Sequence, residues 1–175
     1  MLIFLIGMPG SGKSYWMRKF AAATDYVGQD TDWLTEQRTG KRIAELFEQG
    51  ENIFRSEERR TLEDLMKKAE QPMIIATGGG TPCFFDNMDL MLGSGLVIYL
   101  QAAITTLSYN LRRSYMRRPL LDGKAPEELE LFLNSLLAER RKYYERATLH
   151  LNVEHLKPLD FVTTVQSYIK SYYKQ

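Results

Sequence analysis

The sequence predicts an α/β fold built on a parallel sheet with helices on both faces, and three observations carry that expectation. Apolar segments alternate between strand-like and helix-like periods, with no repeat, low-complexity tract or linker between them. The strand candidates are short and almost continuously apolar, as strands buried on both faces are. A glycine-rich phosphate-binding motif follows the first of them directly. With 175 residues, the chain suits one domain spanning 1–175.

The first strand candidate is LIFLI (2–6). Its apolar run breaks at Gly7 and no basic stretch precedes it, so it reads as a buried strand rather than a signal peptide or membrane span. DYVGQ (25–29), MIIA (73–76), LVIYL (96–100) and TLHLN (148–152) complete the set. Between them, Phe54, Leu62, Leu65, Met66 and Ala69 form one helical stripe, and Leu129, Phe132, Leu133, Leu136 and Leu137 another. Val162, Val165 and Ile169 suit a last covering helix. RRSYMRRPLLDGKAP (112–126) breaks the pattern: rich in Arg and interrupted by Pro and Gly, it reads as a lid loop.

Composition narrows the functional classes. Hydrophobic content of 44% and charged content of 26% match ordinary globular usage, so disorder is not expected. The 23 Lys+Arg against 22 Asp+Glu leave a net charge of +1, too little for a global field that holds nucleic acid or an acidic membrane. A single cysteine, Cys83, excludes an internal disulfide and builds no thiolate metal site by itself, and a reducing cytoplasm fits best. Cys83 reads as a small packing residue; the alternative is a reactive thiol.

The segment GMPGSGKS (7–14) satisfies G-x-x-x-x-G-K-[ST]. Gly10 and Gly12 let the loop wrap so that backbone N–H groups, Ser11 among them, point at phosphate oxygens, and the next helix offers its positive end. Lys13 can reach the β- and γ-phosphates, the Ser14 hydroxyl can ligate Mg²⁺, and the Tyr15 amide is a further donor. A glycine-rich turn that binds nothing is the alternative. The motif specifies a nucleoside triphosphate and leaves the phosphoryl acceptor unnamed.

Acceptor chemistry must come from elsewhere. In QDTDWL, Asp30 and Asp32 stand at i, i+2. On extended backbone both project from one face and repel unless a cation or proton lies between them, which suits one to a Mg²⁺ shell and the other to a reacting hydroxyl. The alternative is a helix N-cap formed by Asp30 or Thr31. In GENIFRSEERR (50–60), the stripe places Glu58 inward with Arg55 at i−3, either a buried pair that readies Arg55 for an anion or a surface ion pair. Extending the stripe of Leu129, Leu133 and Leu136 reaches Arg140, then Tyr143 and Tyr144. A cation on that line either snorkels or points into a cleft holding an anion. Arg112, Arg113, Arg117 and Arg118 populate the lid; Arg118, beside Pro119, is the candidate to neutralise charge on a transferred phosphoryl group.

The ordered set GMPGSGKS, DTD, FRSEE, TGGG, RRPLL and ERRKYY resembles the shikimate kinases over about residues 2 to 150. The resemblance implies a P-loop NTPase-type three-layer sandwich with five parallel strands in the order 2-3-1-4-5. It adds a lid at about 112–126 and a substrate-binding helical region at about 31–62. It implies transfer of the γ-phosphoryl of ATP to the 3-hydroxyl of shikimate, with Mg²⁺, on the route to chorismate and aromatic amino acids. Asp32 would bind the reacting hydroxyl and serve as base, Ser14 and Asp30 would attend the metal, Arg55 and Arg140 would grip the shikimate carboxylate, and Arg118 would close over ATP. Gly78, Gly79 and Gly80 would line the acceptor pocket, Gly79 presenting its backbone; a bulky residue at Gly79 is then expected to block shikimate and spare ATP. A cytoplasmic monomer acting on small molecules, without nucleic acid or membrane, is the implied state. Other small-molecule or nucleoside monophosphate kinases, and a catalytically silent ATP-binding regulator, are the alternatives. Three features depart from the family: Tyr15 and Trp16 after Ser14, the spacing of Arg112 and Arg113 from RPLL, and a generic NVEHLKP (152–158) where adenine should sit, in which Lys157 is the candidate contact.

Overall fold

The computed structural model describes residues 1–113 and 126–172. Its strands are β1 (Leu2–Ile6), β2 (Val27–Asp30), β3 (Met73–Ala76), β4 (Gly95–Gln101) and β5 (Leu149–Asn152). Its helices are α1 (Lys13–Ala22), α2 (Thr31–Thr39), α3 (Ile43–Gln49), α4 (Glu51–Lys67), α5 (Asn87–Ser94), α6 (Ile104–Arg113), α7 (Pro126–Tyr144) and α8 (Pro158–Tyr172). The strands form one parallel sheet in the order β2-β3-β1-β4-β5, as the family resemblance implies.

That order explains the apolar runs. The interior strands β1 and β3 are buried throughout and β4 is buried except at its ends, whereas the edge strands β2 and β5 are only partly covered. Along β1 the side chains alternate between two layers. Ile3 and Leu5 pack with Trp16, Met17 and Phe20 of α1 and Phe161, Val162 and Val165 of α8. Leu2, Phe4 and Ile6 pack with Leu62 of α4, Met88 and Met91 of α5, Leu107 of α6, and Leu129, Leu133 and Tyr144 of α7. The short helices α2 and α3 lie against α4, forming a helical wing next to the end of β2. No described helix is long and apolar enough to cross a membrane.

β4 runs one residue further at each end than the sequence reading and β5 starts one residue later, and three other differences have a visible cause. The second strand starts at Val27, where its N–H meets the Pro72 carbonyl at 2.9 Å, and runs on to Asp30. Tyr26 turns instead onto Phe20, with ring centroids 5.3 Å apart. The helix carrying the Phe54 stripe ends at Lys67, so Ala69 packs on the core from beyond it. Arg112 and Arg113 close α6 rather than opening a loop, because Ile104, Leu107 and Leu111 keep an apolar stripe against the core to the helix end. The remainder of 112–125 lies outside the described residues.

The start of α6 is capped from a distance. Glu154, in the segment after β5, accepts through Oε1 from the Ala103 N–H at 3.1 Å and the Thr106 hydroxyl at 2.8 Å. The Thr106 hydroxyl and then the Ala103 amide hold its carboxyl below the ordinary carboxylate range. Negative charge also suits a helix N-terminus. A lowered folded-state pKa means that the contribution is complete above the ordinary carboxylate pKa and disappears as pH falls through the lowered one. Glu154→Ala is therefore expected to lower Tm on the order of 2 °C at neutral pH, and thermal melts of the two proteins should converge as pH falls through the lowered carboxyl pKa.

Candidate active site

The ends of β2, β3 and β1 lie side by side, and each hands the chain to a different part of one cleft, at the carboxyl edge where α/β sheets place ligands. After β1 comes the phosphate loop. Gly10 adopts φ 86°, and a Cβ there would fall 2.7 Å from the Leu107 carbonyl oxygen of α6. That close approach lets the Asn110 amide donate to the Gly10 carbonyl at 2.9 Å, so α6 braces the loop. Lys13 opens α1, buried, with Nζ donating to the Gly7 and Met8 carbonyls at 2.9 and 3.0 Å. Ser11 is buried within the loop, while Tyr15 faces outward beneath the Lys19 ammonium. Trp16 sits beside Gly12 and against Phe161, at 4.8 Å between ring centroids, which explains the unusual pair after Ser14: one aromatic buttresses the loop and the other covers its outer side.

After β2, the expectation of two carboxylates on extended backbone is corrected. Asp30 ends the strand, but Thr31 is already helical, so Asp32 belongs to the first turn of α2. Asp30 Oδ1 accepts from the amides of Asp32 at 3.1 Å and Trp33 at 3.4 Å, while Oδ2 accepts from the Ser14 hydroxyl at 2.6 Å. The cap and the contact with the phosphate loop are thus made by opposite oxygens of one carboxylate.

After β3 comes the glycine turn. The Gly78 N–H donates to Thr31 Oγ1 at 3.1 Å, and the Gly79 carbonyl accepts from the Tyr144 hydroxyl at 2.6 Å. Each glycine makes room for a different neighbour. A Cβ at Gly78 would lie 2.3 Å from Glu58 Oε1 and 3.0 Å from Asp32 Oδ1, and one at Gly80 would press into the Arg55 guanidinium at 2.6–2.9 Å. At Gly79 it would meet Pro9 of the phosphate loop at 3.0–3.3 Å. The expectation that bulk at Gly79 spares the nucleotide side is corrected accordingly: that position abuts the phosphate loop itself.

Arg55 and Glu58 form the buried pair, 2.9 Å apart and only 3% and 1% exposed. Arg55 also reaches the more open Glu51 at 3.1 Å, and its guanidinium lies over Phe84 and Phe54, 4.1 and 4.8 Å from the ring centroids. The Thr81 hydroxyl donates to Glu58 Oε1 at 2.5 Å. Arg140 is the contrasting case: buried in α7, it forms an ion pair with no carboxylate among the described residues and faces a cleft of about 420 Å³ lined by Cys83, Phe84, Phe132, Leu136 and Tyr143, with Glu51, Glu139 and Lys142 also on its walls. Burial pushes the Cys83 thiol up to about 11, against the opposing influence of Arg140 and Arg55, so it packs as an unreactive thiol.

The described structure thus gathers Gly10, Ser11, Gly12, Lys13, Ser14, Asp30, Asp32, Arg55, Gly78, Gly79, Gly80 and Arg140 around connected strand ends and their cleft. Arg113 turns to the Tyr109 hydroxyl at 2.7 Å. Arg117 and Arg118 lie outside the described residues. Sequence reasoning missed Thr81 and Phe84 and gave Tyr144 no task. The available signals were a hydroxyl directly after the glycines and a tyrosine one helical turn beyond Arg140.

Known proteins share this arrangement. The family described as shikimate kinase matches residues 9–170. The chain is 37% identical over 161 residues to a shikimate kinase of Azobacteroides pseudotrichonymphae, covering 91% of this chain and 94% of that one. The crystal structure of the shikimate kinase from Bacteroides thetaiotaomicron superposes with a TM-score of 0.89 at 33% identity, covering 97% and 98% of the two chains. That of the Acinetobacter baumannii shikimate kinase in complex with shikimate gives 0.86 at 29% identity, covering 99% and 95%.

Two outcomes follow from the geometry. Glu58→Ala strands a buried guanidinium beside an aromatic cage, and denaturant unfolding is expected to show a loss of about 3 kcal/mol. Gly79→Val presses on Pro9, so calorimetric titration with a non-hydrolysable ATP analogue should show affinity reduced about tenfold or more; unchanged affinity would contradict this placement.

Proposed function

The chain belongs to the shikimate kinase family, and we propose that the cleft joining its phosphate loop, glycine turn and α7 is where it transfers the γ-phosphoryl group of ATP to the 3-hydroxyl of shikimate, in aromatic amino acid biosynthesis. The observation that carries this reading is a pair of buried arginines, Arg55 and Arg140, one balanced by Glu58 and one without a carboxylate partner among the described residues, on the approach to a turn stripped of side chains.

A buried guanidinium without a counter-charge is costly until an anion arrives. The shikimate carboxylate supplies that anion, and the planar fork of Arg140, with Arg55 held in place by Glu58 and Glu51, can take its oxygens in directed bonds. The glycine turn lets the sugar-like ring lie against backbone. Asp32, with Oδ1 close to Gly78, is positioned to accept the hydroxyl proton as the oxygen attacks. Lys13, resting on the Gly7 and Met8 carbonyls, is the cation available to the β- and γ-phosphates.

The Ser14 hydroxyl and the Asp30 carboxylate, 2.6 Å apart, are hard oxygen donors that fit Mg²⁺. A Mg²⁺ held there would take its other ligands from water and phosphate. Bound there, Mg²⁺ would neutralise charge on the transferring phosphoryl group. The chain's own contribution is mainly positioning and fixed electrostatics, with Asp32 providing the proton path.

An ADP-release assay with shikimate, gluconate and nucleoside monophosphates, run with and without Mg²⁺, tests the substrate; turnover is expected with shikimate and Mg²⁺, and a preference for another acceptor would overturn the reading. Asp32→Ala should lower kcat about 10²- to 10⁴-fold with circular dichroism unchanged. Arg140→Ala should instead raise KM for shikimate about 10- to 100-fold at nearly constant kcat, because a carboxylate grip acts in ground and transition states alike.

A further inference from the structure

Tyr144 ends α7, one turn beyond Arg140, and its ring is fully buried with its centroid 5.0 Å from that of Tyr99. Burial raises its pKa, so the phenol remains a neutral O–H donor at working pH. That hydroxyl donates to the Gly79 carbonyl at 2.6 Å and lies 3.8 Å from Met8 Sδ. One oxygen therefore touches both the glycine turn and the phosphate loop. Phenylalanine would satisfy the packing alone, and burying a hydroxyl is unfavourable unless it bonds. Gly79 has no side chain to hold its own peptide in place, so the orientation of that carbonyl depends on outside donors.

We propose that Tyr144 is a positioning residue for the phosphoryl acceptor: its hydroxyl fixes the Gly79 carbonyl, and with it the stretch of side-chain-free backbone against which shikimate is held. The proposal rests on the substrate reading above.

Tyr144→Phe tests it, since the ring and its contact with Tyr99 are kept and only the hydroxyl is lost. Wild type is assayed first with shikimate and ATP. The variant is then expected to raise KM for shikimate about tenfold, the size of one well-made hydrogen bond, while kcat and KM for ATP change less than about threefold. Replacement of Tyr144 by 4-aminophenylalanine, which restores an N–H donor at the same place, should return KM towards the wild-type value. An unchanged KM for shikimate, equal losses in both KM values and kcat, no recovery with the amino analogue, or a Phe variant that fails to fold would each overturn the positioning role. Lack of shikimate turnover by wild type would overturn the substrate reading and this proposal together, whereas wild-type turnover with an unaffected Phe variant would overturn the proposal alone.

Discussion

Three successive residues without side chains at the end of β3 are the constraint on which the site depends. Gly78 makes room for Glu58 and Asp32, Gly79 for Pro9, and Gly80 for the Arg55 guanidinium. A β-carbon at any of the three positions would collide with or crowd a neighbour that the phosphate or acceptor chemistry requires. The turn is not left loose by this. The Gly78 amide is held by Thr31, the Gly79 carbonyl by Tyr144, and the Gly78 carbonyl receives the Thr81 N–H at 3.1 Å. Backbone bonds thus replace the side-chain packing that would ordinarily fix a segment, and the space saved is given to reactive groups from α2, α4 and the phosphate loop.

The phosphate side is built with similar economy. Asp30 uses one oxygen to cap α2 and the other to receive Ser14 from α1, so the strand end, the helix that carries Asp32 and the helix behind the phosphate loop share a single carboxylate. The loop is braced from both sides. Asn110 of α6 bonds the Gly10 carbonyl, and Trp16 and Phe161 pack behind it, so its backbone is shaped before any phosphate arrives. Preorganisation of this kind reduces the ordering cost of binding and leaves more of the interaction for the transition state.

Much of this was legible in the sequence wherever the signal was local. The strand-loop-helix motif placed Lys13 and Ser14, continuous apolar runs identified the inner strands, and the i−3 spacing paired Arg55 with Glu58. The structure shows what local pattern could not. Asp30 was weighed as either a cap or a metal-side carboxylate; one of its oxygens caps α2 while the other receives the Ser14 hydroxyl, an arrangement visible only once Ser14 is brought across from α1. The direction each glycine faces depends on how α4 and the phosphate loop pack, so Gly79 could not be distinguished from Gly78 and Gly80. Tyr144 stood on the correct helical face, but its hydroxyl finds an acceptor 65 residues away, beyond the reach of periodicity.

The two buried arginines explain how such a site can be stable when empty and still favour an anion. Arg55 is fully balanced before any ligand arrives, by Glu58 within the core and by Glu51 towards solvent. Removing that balance would leave a buried charge in a low-dielectric setting, so Glu58 protects the fold as well as orienting the guanidinium. Arg140 is held differently, at 8% exposure and with no carboxylate partner among the described residues. A buried cation with no carboxylate partner among the described residues keeps its attraction for an incoming anion.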